Sequence, residues 1–161
     1  MHAAQFDVRD LLRRDVSSAE YDEIRELWKR HSIAEDERDL AGLLSTLTED
    51  CVYELAQTGH RWEGHEGAAR FYTQLLGAFP DIHFDLEYIV VGPQGVFEAA
   101  RLTGTNLGPW ADVPASGLPV SLEVLILFPW DAAARRFTGE RIWFDRGALG
   151  QTAVADGPND A

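Results

Sequence analysis

Apolar and aromatic residues recur at spacings of three and four from Tyr21 through Ile24, Leu27 and Trp28 to His31, which predicts an amphipathic helix burying one stripe. Ser17 or Ser18 is its expected N-cap, since a serine hydroxyl can accept from a backbone N–H of the first turn. The polar stretch Glu35 to Asp39 reads as the break after it, and a second short helix is expected from Leu40 to Leu47. The period then changes. Cys51 to Leu55 is rich in β-branched and aromatic residues, Thr58-Gly59 makes a hairpin turn, and Arg61-Trp62-Glu63 leads away from it. Helical spacing resumes from His65 to Phe79 and is stopped by Pro80. Four β segments follow, Ile82 to Val91, Val96 to Thr105, Val120 to Phe128 and Phe137 to Asp145, joined by glycine- and proline-rich connections. Helices first and antiparallel strands afterwards is the pattern of an α+β domain.

The two ends look different from this core. Residues 1–16 carry a short amphipathic pattern, Phe6, Val8, Leu11 and Leu12 among charges, expected as an arm or extra helix that could pack on a neighbouring subunit. Residues 17–152 are assigned to one domain, and 153–161, small and polar, to a flexible tail. A chain of 161 residues is long enough to bury one sizeable core.

Charge narrows the partners. With 27 acidic against 14 basic residues the formal net charge is −13, which repels phosphate backbones and anionic lipid surfaces. Neither nucleic acid nor membrane is expected as a partner, and without an apolar span or a basic-then-apolar leader a cytoplasmic location is expected. The lone Cys51 can close no intramolecular disulfide and reads as a small buried hydrophobe. His60 and His65 flank Trp62 and Glu63 without a third convergent ligand, so no metal site is expected there. Ser116-Gly117 lacks the frame of a nucleophile elbow, and Gly92-Pro93-Gln94-Gly95 is a hairpin turn instead of a phosphate loop. Glu20, Asp22, Glu23 and Glu26 read as a solvated helix face.

Three stretches together resemble the SnoaL-like polyketide cyclase branch of the nuclear transport factor 2-like superfamily. They are Asp50-Cys51-Val52-Tyr53-Glu54 with Gly64 and the helix holding Phe71-Tyr72; Phe79-Pro80-Asp81-Ile82 through Gly104-Thr105-Asn106-Leu107-Gly108-Pro109 to Pro114-Ala115-Ser116-Gly117; and Phe144-Asp145-Arg146 with Leu149 and Gln151. The resemblance implies a cone-shaped α+β barrel, a strongly curved, mostly antiparallel sheet wrapped around three helices and enclosing a small-molecule pocket. That superfamily holds isomerases, cyclases, epoxide hydrolases, dehydratases and adaptors, so the site must decide the function.

The resemblance also places side chains. In that branch the residue after Gly-Thr is usually a cavity-facing histidine; here it is Asn106, able to orient a substrate but not to titrate. Strand alternation from that anchor turns Glu98, Ala100, Leu102 and Gly104 inward and Ala99, Arg101 and Thr103 outward. Anchoring the last strand at Asp145 turns Trp143 and Arg141 inward, with Val124 and Ile126 lining the strand between. Against the ketosteroid isomerase branch, His31 takes the place of a helix tyrosine, while Leu55 and Ile126 replace both catalytic carboxyl groups, so that mechanism does not transfer. Tyr53 is expected to point inward.

These positions give the expected site. Asp145 is the candidate general acid or base, its carboxyl raised by desolvation, or else a structural partner of Arg141 or Arg146. His31 is the candidate proton relay, or a core histidine satisfied by a carbonyl. Tyr53 is a hydroxyl donor or a packed wall, and Glu98 a second acid/base group or a partner of Arg141. With Asn106, Trp143, Trp28 and Ile126, Tyr53 and Glu98 form the expected substrate-binding set. The expected activity is a cofactor-independent cyclase or isomerase acting on a hydrophobic oxygenated small molecule such as a polyketide intermediate. Its alternatives are an epoxide-opening enzyme of the same fold and a non-catalytic binding or dimeric interaction module. A homodimer is expected, through the convex sheet face carrying Leu125 and Leu127.

Overall fold

The computed structural model describes residues 8–150. The first seven residues of the expected arm and the whole of the expected tail, 153–161, lie outside the described residues.

A short helix, α1 (Val8–Leu12), precedes α2 (Ser18–Asp36), whose N-cap Ser17 accepts from the Glu20 N–H at 3.1 Å. Of the stripe read from the sequence, Ile24, Leu27 and His31 are buried, joined by Ala34, while Trp28 is half-buried and Tyr21 is exposed. Two boundaries differ from the sequence reading. Helix α2 runs on to Asp36 and so includes Glu35, and α3 (Leu40–Leu44) stops three residues short of Leu47. It stops because Ser45 Oγ and Thr46 Oγ1 donate back to the carbonyls of Gly42 and Leu43, both at 2.6 Å, satisfying orphan acceptors of the last turn. The chain then enters β1 (Leu47–Leu55), earlier than the expected Cys51.

β1 hairpins to β2 (His60–Glu63), α4 (Gly64–Ala78) follows, and β3 (His83–Gly92), β4 (Gly95–Thr105), β5 (Pro119–Asp131) and β6 (Arg136–Phe144) form a meander. A single 3₁₀ turn, Arg146–Gly150, ends the described chain. The six strands make one curved sheet in the order β2-β1-β6-β5-β4-β3, antiparallel throughout except where β1 and β6 run parallel. The sheet does not close, so the architecture is an α+β half-barrel with β2 and β3 at its edges. Helices α2 and α4 fill its concave face, with Phe71, Tyr72 and Leu75 of α4 buried against it. No helix among the described residues is long and apolar enough to cross a membrane.

One irregularity decides what the interior contains. Between the pairs Leu127↔Arg141 and Trp130↔Phe137, three steps along β5 correspond to four along β6, the mark of a β-bulge. The extra residue falls at Gly139, whose φ of 119° suits glycine alone and whose hypothetical Cβ would overlap the Val52 carbonyl oxygen. Phe137 faces inward before the bulge. After it, the inward positions are Glu140, Ile142 and Phe144.

Candidate functional site

Polar groups gather where α2, β1, α4, β4 and β6 meet, in an interior otherwise built of aliphatic and aromatic residues. Glu140, only 3% exposed, is the hub. Its Oε1 accepts from the Tyr72 hydroxyl at 2.8 Å and lies 3.0 Å from His31 Nε2. The other ring nitrogen of His31, Nδ1, lies 2.6 Å from Thr46 Oγ1. The imidazole, fully buried, meets the edges of Phe128 and Phe137 at centroid distances of 5.3 and 6.3 Å. The Tyr53 hydroxyl lies 3.4 Å from that of Tyr72. Glu98, across on β4, accepts from the Trp28 indole N–H at 2.9 Å.

Three carboxyl groups thus share one poorly solvated interior, and their ionisation responds. Burial, then the negative charge of Glu140, push Glu98 up from the ordinary 4.5 to about 7, against the opposing pull of the Trp28 hydrogen bond. Glu35 is pushed well above the carboxylate range by burial first, then by repulsion from Glu140, Glu98 and Asp36. Burial, reinforced by Glu140, also raises both tyrosine hydroxyls, so Tyr53 and Tyr72 stay protonated donors.

Two adjoining spaces reach this cluster. The outer one, a vestibule of about 450 Å³, opens between the end of α2, α4 and the start of β3, with Glu35, Arg38, Leu43, Tyr72, Ile82 and Phe84 among its walls. Arg38 donates from Nη2 to the Pro80 carbonyl at 2.7 Å, bracing this mouth. The inner chamber holds only about 30 Å³ of free space, walled by residues including Leu55, Phe71, Ile126, Ile142 and Trp110, with Glu140 as one of its two carboxyl groups. Glu35 is the other, and with Leu75 and Phe84 it lines both spaces. A volume of 450 Å³ suits a drug-sized molecule, whereas the chamber admits no more than one small group of it.

The inward alternation expected on β4 is present: Glu98, Ala100 and Leu102 are buried on the core side. His31 and Tyr53 are fully buried in the Glu140 network, Trp28 touches it through Glu98, and Ile126 lines the chamber. Asn106 is buried where the chain leaves β4, donating to the Pro114 carbonyl at 3.4 Å, and it does not line the chamber.

The last strand requires a correction. Trp143 and Arg141 lie on the convex face, the guanidinium 5.3 Å from the indole centroid and 3.7 Å from Glu54, so Arg141 pairs with neither Glu98 nor Asp145. Asp145 is exposed beyond the end of β6, accepting from the Gly147 N–H at 2.8 Å, and it lines neither interior space. Arg146 donates instead to the Ala111 carbonyl. A one-residue slip in alternation exchanges the faces of every side chain, and anchoring the strand at Asp145 introduces that slip. Sequence reasoning misses both Glu140 and Glu35.

The SnoaL-like polyketide cyclase profile matches residues 21–152, from the buried face of α2 past the end of β6. The chain belongs to this family. Among solved structures, it is similar to a Jannaschia sp. CCS1 protein provisionally named a SnoaL-like polyketide cyclase, with 26% identity, a TM-score of 0.67, and 85% of this chain and 97% of that one covered. A protein of Kribbella flavida DSM 17836 provisionally named a ketosteroid isomerase shares the fold at 16% identity, TM-score 0.60, covering 76% and 78% of the two chains. So does AclR of Streptomyces galilaeus, provisionally named a hydroxylase, at 18% identity and TM-score 0.63 over 80% and 93%. No curated protein matches the chain. Glu98 and Glu140 lie on the concave, helix-covered face of the sheet.

Proposed function

We propose that the protein is an acid/base catalyst that closes a ring or shifts a double bond in a hydrophobic, oxygenated small molecule such as a polyketide intermediate. The observation that supports this most directly is Glu140, a buried carboxyl held by Tyr72 and His31 and facing a chamber that adjoins a second carboxyl, Glu35. Proton transfer to carbon or oxygen needs one group able to give a proton and one able to take it at the same pH. Burial first, then repulsion from Glu140 and Glu98, pushes Glu35 well above the ordinary carboxylate range and favours its protonated, proton-donating form. The Glu140–His31 pair is the second proton-transferring group, able to give a proton or take one.

The body of the substrate occupies the vestibule, where Leu43, Ile82 and Phe84 supply apolar walls. Its reacting carbonyl or acidic carbon reaches past Glu35 toward Glu140. Water is scarce there, so each charge and dipole acts with more force than in solution. A screen of linear and polycyclic polyketide intermediates against wild type and Glu140→Gln tests the proposal. Turnover by wild type and a loss of about a hundred- to ten-thousand-fold in the variant is the expected result. Ligand binding without turnover by either protein, across the screen, would favour a non-catalytic binding module, and full activity in the variant would refute the assignment.

A further inference from the structure

The hydrogen bonds around His31 can be counted, and the count locates a proton. Thr46 has one hydroxyl hydrogen. Its Oγ1 stands 2.6 Å from the Leu43 carbonyl oxygen, which can only accept, so that hydrogen is committed to Leu43. Toward His31 Nδ1, also 2.6 Å away, Thr46 Oγ1 can therefore only accept, and Nδ1 must carry a hydrogen. In a neutral imidazole the remaining nitrogen, Nε2, then presents a lone pair to Glu140 Oε1 at 3.0 Å. Two bare acceptors at that distance, buried and away from water, repel. The contact is favourable only with a second hydrogen between them, on Nε2 or on Oε1.

We infer that Thr46 is a positioning residue that fixes the His31 tautomer and thereby obliges the His31–Glu140 pair to hold a transferable proton. The inference rests on the reading of Glu140 as the proton-transferring group, and it adds which state of that group the fold stores. Loaded, the pair is neutral overall and can give a proton to substrate through the Glu140 carboxyl, which lines the chamber. Unloaded, it takes one back. One catalytic cycle moves a single proton out and returns it, so no other reactant is needed. The titratable groups facing the pair from the surrounding elements are Glu35 on α2, Cys51 and Tyr53 on β1, Tyr72 on α4 and Glu98 on β4. Among the described residues no lysine or arginine is bonded to this cluster, so the shared proton is what offsets the charge of Glu140.

The test reads the tautomer without any substrate. Proton–nitrogen correlation spectra of ¹⁵N-labelled protein, with His31 assigned by the signals lost in His31→Gln, should show a protonated Nδ1 in wild type and in Thr46→Ser throughout the range in which the protein is folded. Thr46→Val keeps shape but offers no acceptor, so Nδ1 should become the bare nitrogen while Nε2–H donates to Glu140. With a turned-over substrate, the same variant should lower the proton affinity of the pair about tenfold, the value of one hydrogen bond, moving that limb of the kcat profile to lower pH while KM is unchanged and Thr46→Ser restores it. A bare Nδ1 in wild type would overturn the inference even if Thr46→Val failed to fold, as would an unchanged Nδ1–H in Thr46→Val. Either spectrum is independent of whether Glu140→Gln retains activity, so failure of the tautomer argument and failure of the functional reading are separable.

Discussion

Replacing Glu98 by glutamine removes one buried charge while keeping the acceptor that Trp28 needs. Glu98 is 8% exposed, and burial with repulsion from Glu140 raises it from 4.5 to about 7. A carboxyl raised in the folded state binds protons more tightly there than in the unfolded chain. Its contribution is therefore fully present below about pH 4.5 and is lost as pH rises through about 7. Each step of one in pH between those limits removes about 1.4 kcal/mol, so the whole loss is about 3 kcal/mol. Glutamine does not titrate, so the stability of Glu98→Gln relative to wild type should be level in acid and climb by about 3 kcal/mol by about pH 8.5. Removing the Glu98 charge also relaxes Glu35, which Glu98 helps to push up, and that adds in the same direction. Urea unfolding of both proteins at half-unit steps from about pH 4 to 8.5 gives the difference directly, with titrations elsewhere cancelling. A difference that stays flat, or that grows toward acid, would refute the picture of crowded interior carboxyl groups.

Other consequences are as specific. Gly139→Ala forces a Cβ into the Val52 backbone at a φ that alanine resists, and should cost at least about 2 kcal/mol in urea unfolding; a cost under about 0.5 kcal/mol would show that the bulge tolerates a side chain. The Cys51 thiol, pushed up to about 11 by burial first and then by Asp50 and Glu140, should resist a thiol reagent at about pH 8 until the protein is unfolded, and fast labelling of the native protein would contradict its placement. On the convex face Phe97, Leu125, Leu127 and Trp143 stand together with Tyr88 and Val90 exposed nearby, and we expect this face to pair with a second copy. Sedimentation should then give a dimer at micromolar concentration that Leu127→Asp dissociates, and a wild-type monomer would count against the pairing.

How far the sequence carries the site depends on what interrupts its periodicity. His31 is legible because α2 keeps a regular spacing from Ile24 to Ala34, and Glu98 because β4 pairs with β5 without interruption from Gly95 to Thr105. Glu35 lies four residues after His31, on the same helical face, yet it reads as the start of a polar break because α2 ends in a run of charges. Glu140 is hidden by the choice of Asp145 as the anchor of β6. Alternation counted back from Asp145 gives Trp143 and Arg141, whereas the apolar pair Ile142 and Phe144 already points to the other face, and a glycine inside a strand is a common sign of a phase change. The strand-end aspartate is legible as a family feature, but its surroundings are not. Only its place beyond Phe144, the last residue of β6, shows that it stands outside.

The central claim is that chemistry belongs to the interior carboxyl at Glu140 and not to the carboxyl at the strand end. Turnover of one substrate by Glu140→Gln and by Asp145→Asn, measured side by side on proteins shown to be folded, tests it most directly. Glu140→Gln should lose about a hundred- to ten-thousand-fold in kcat, and Asp145→Asn should stay within about threefold of wild type. The reverse ranking, with Asp145→Asn inactive and Glu140→Gln unimpaired, would contradict the account.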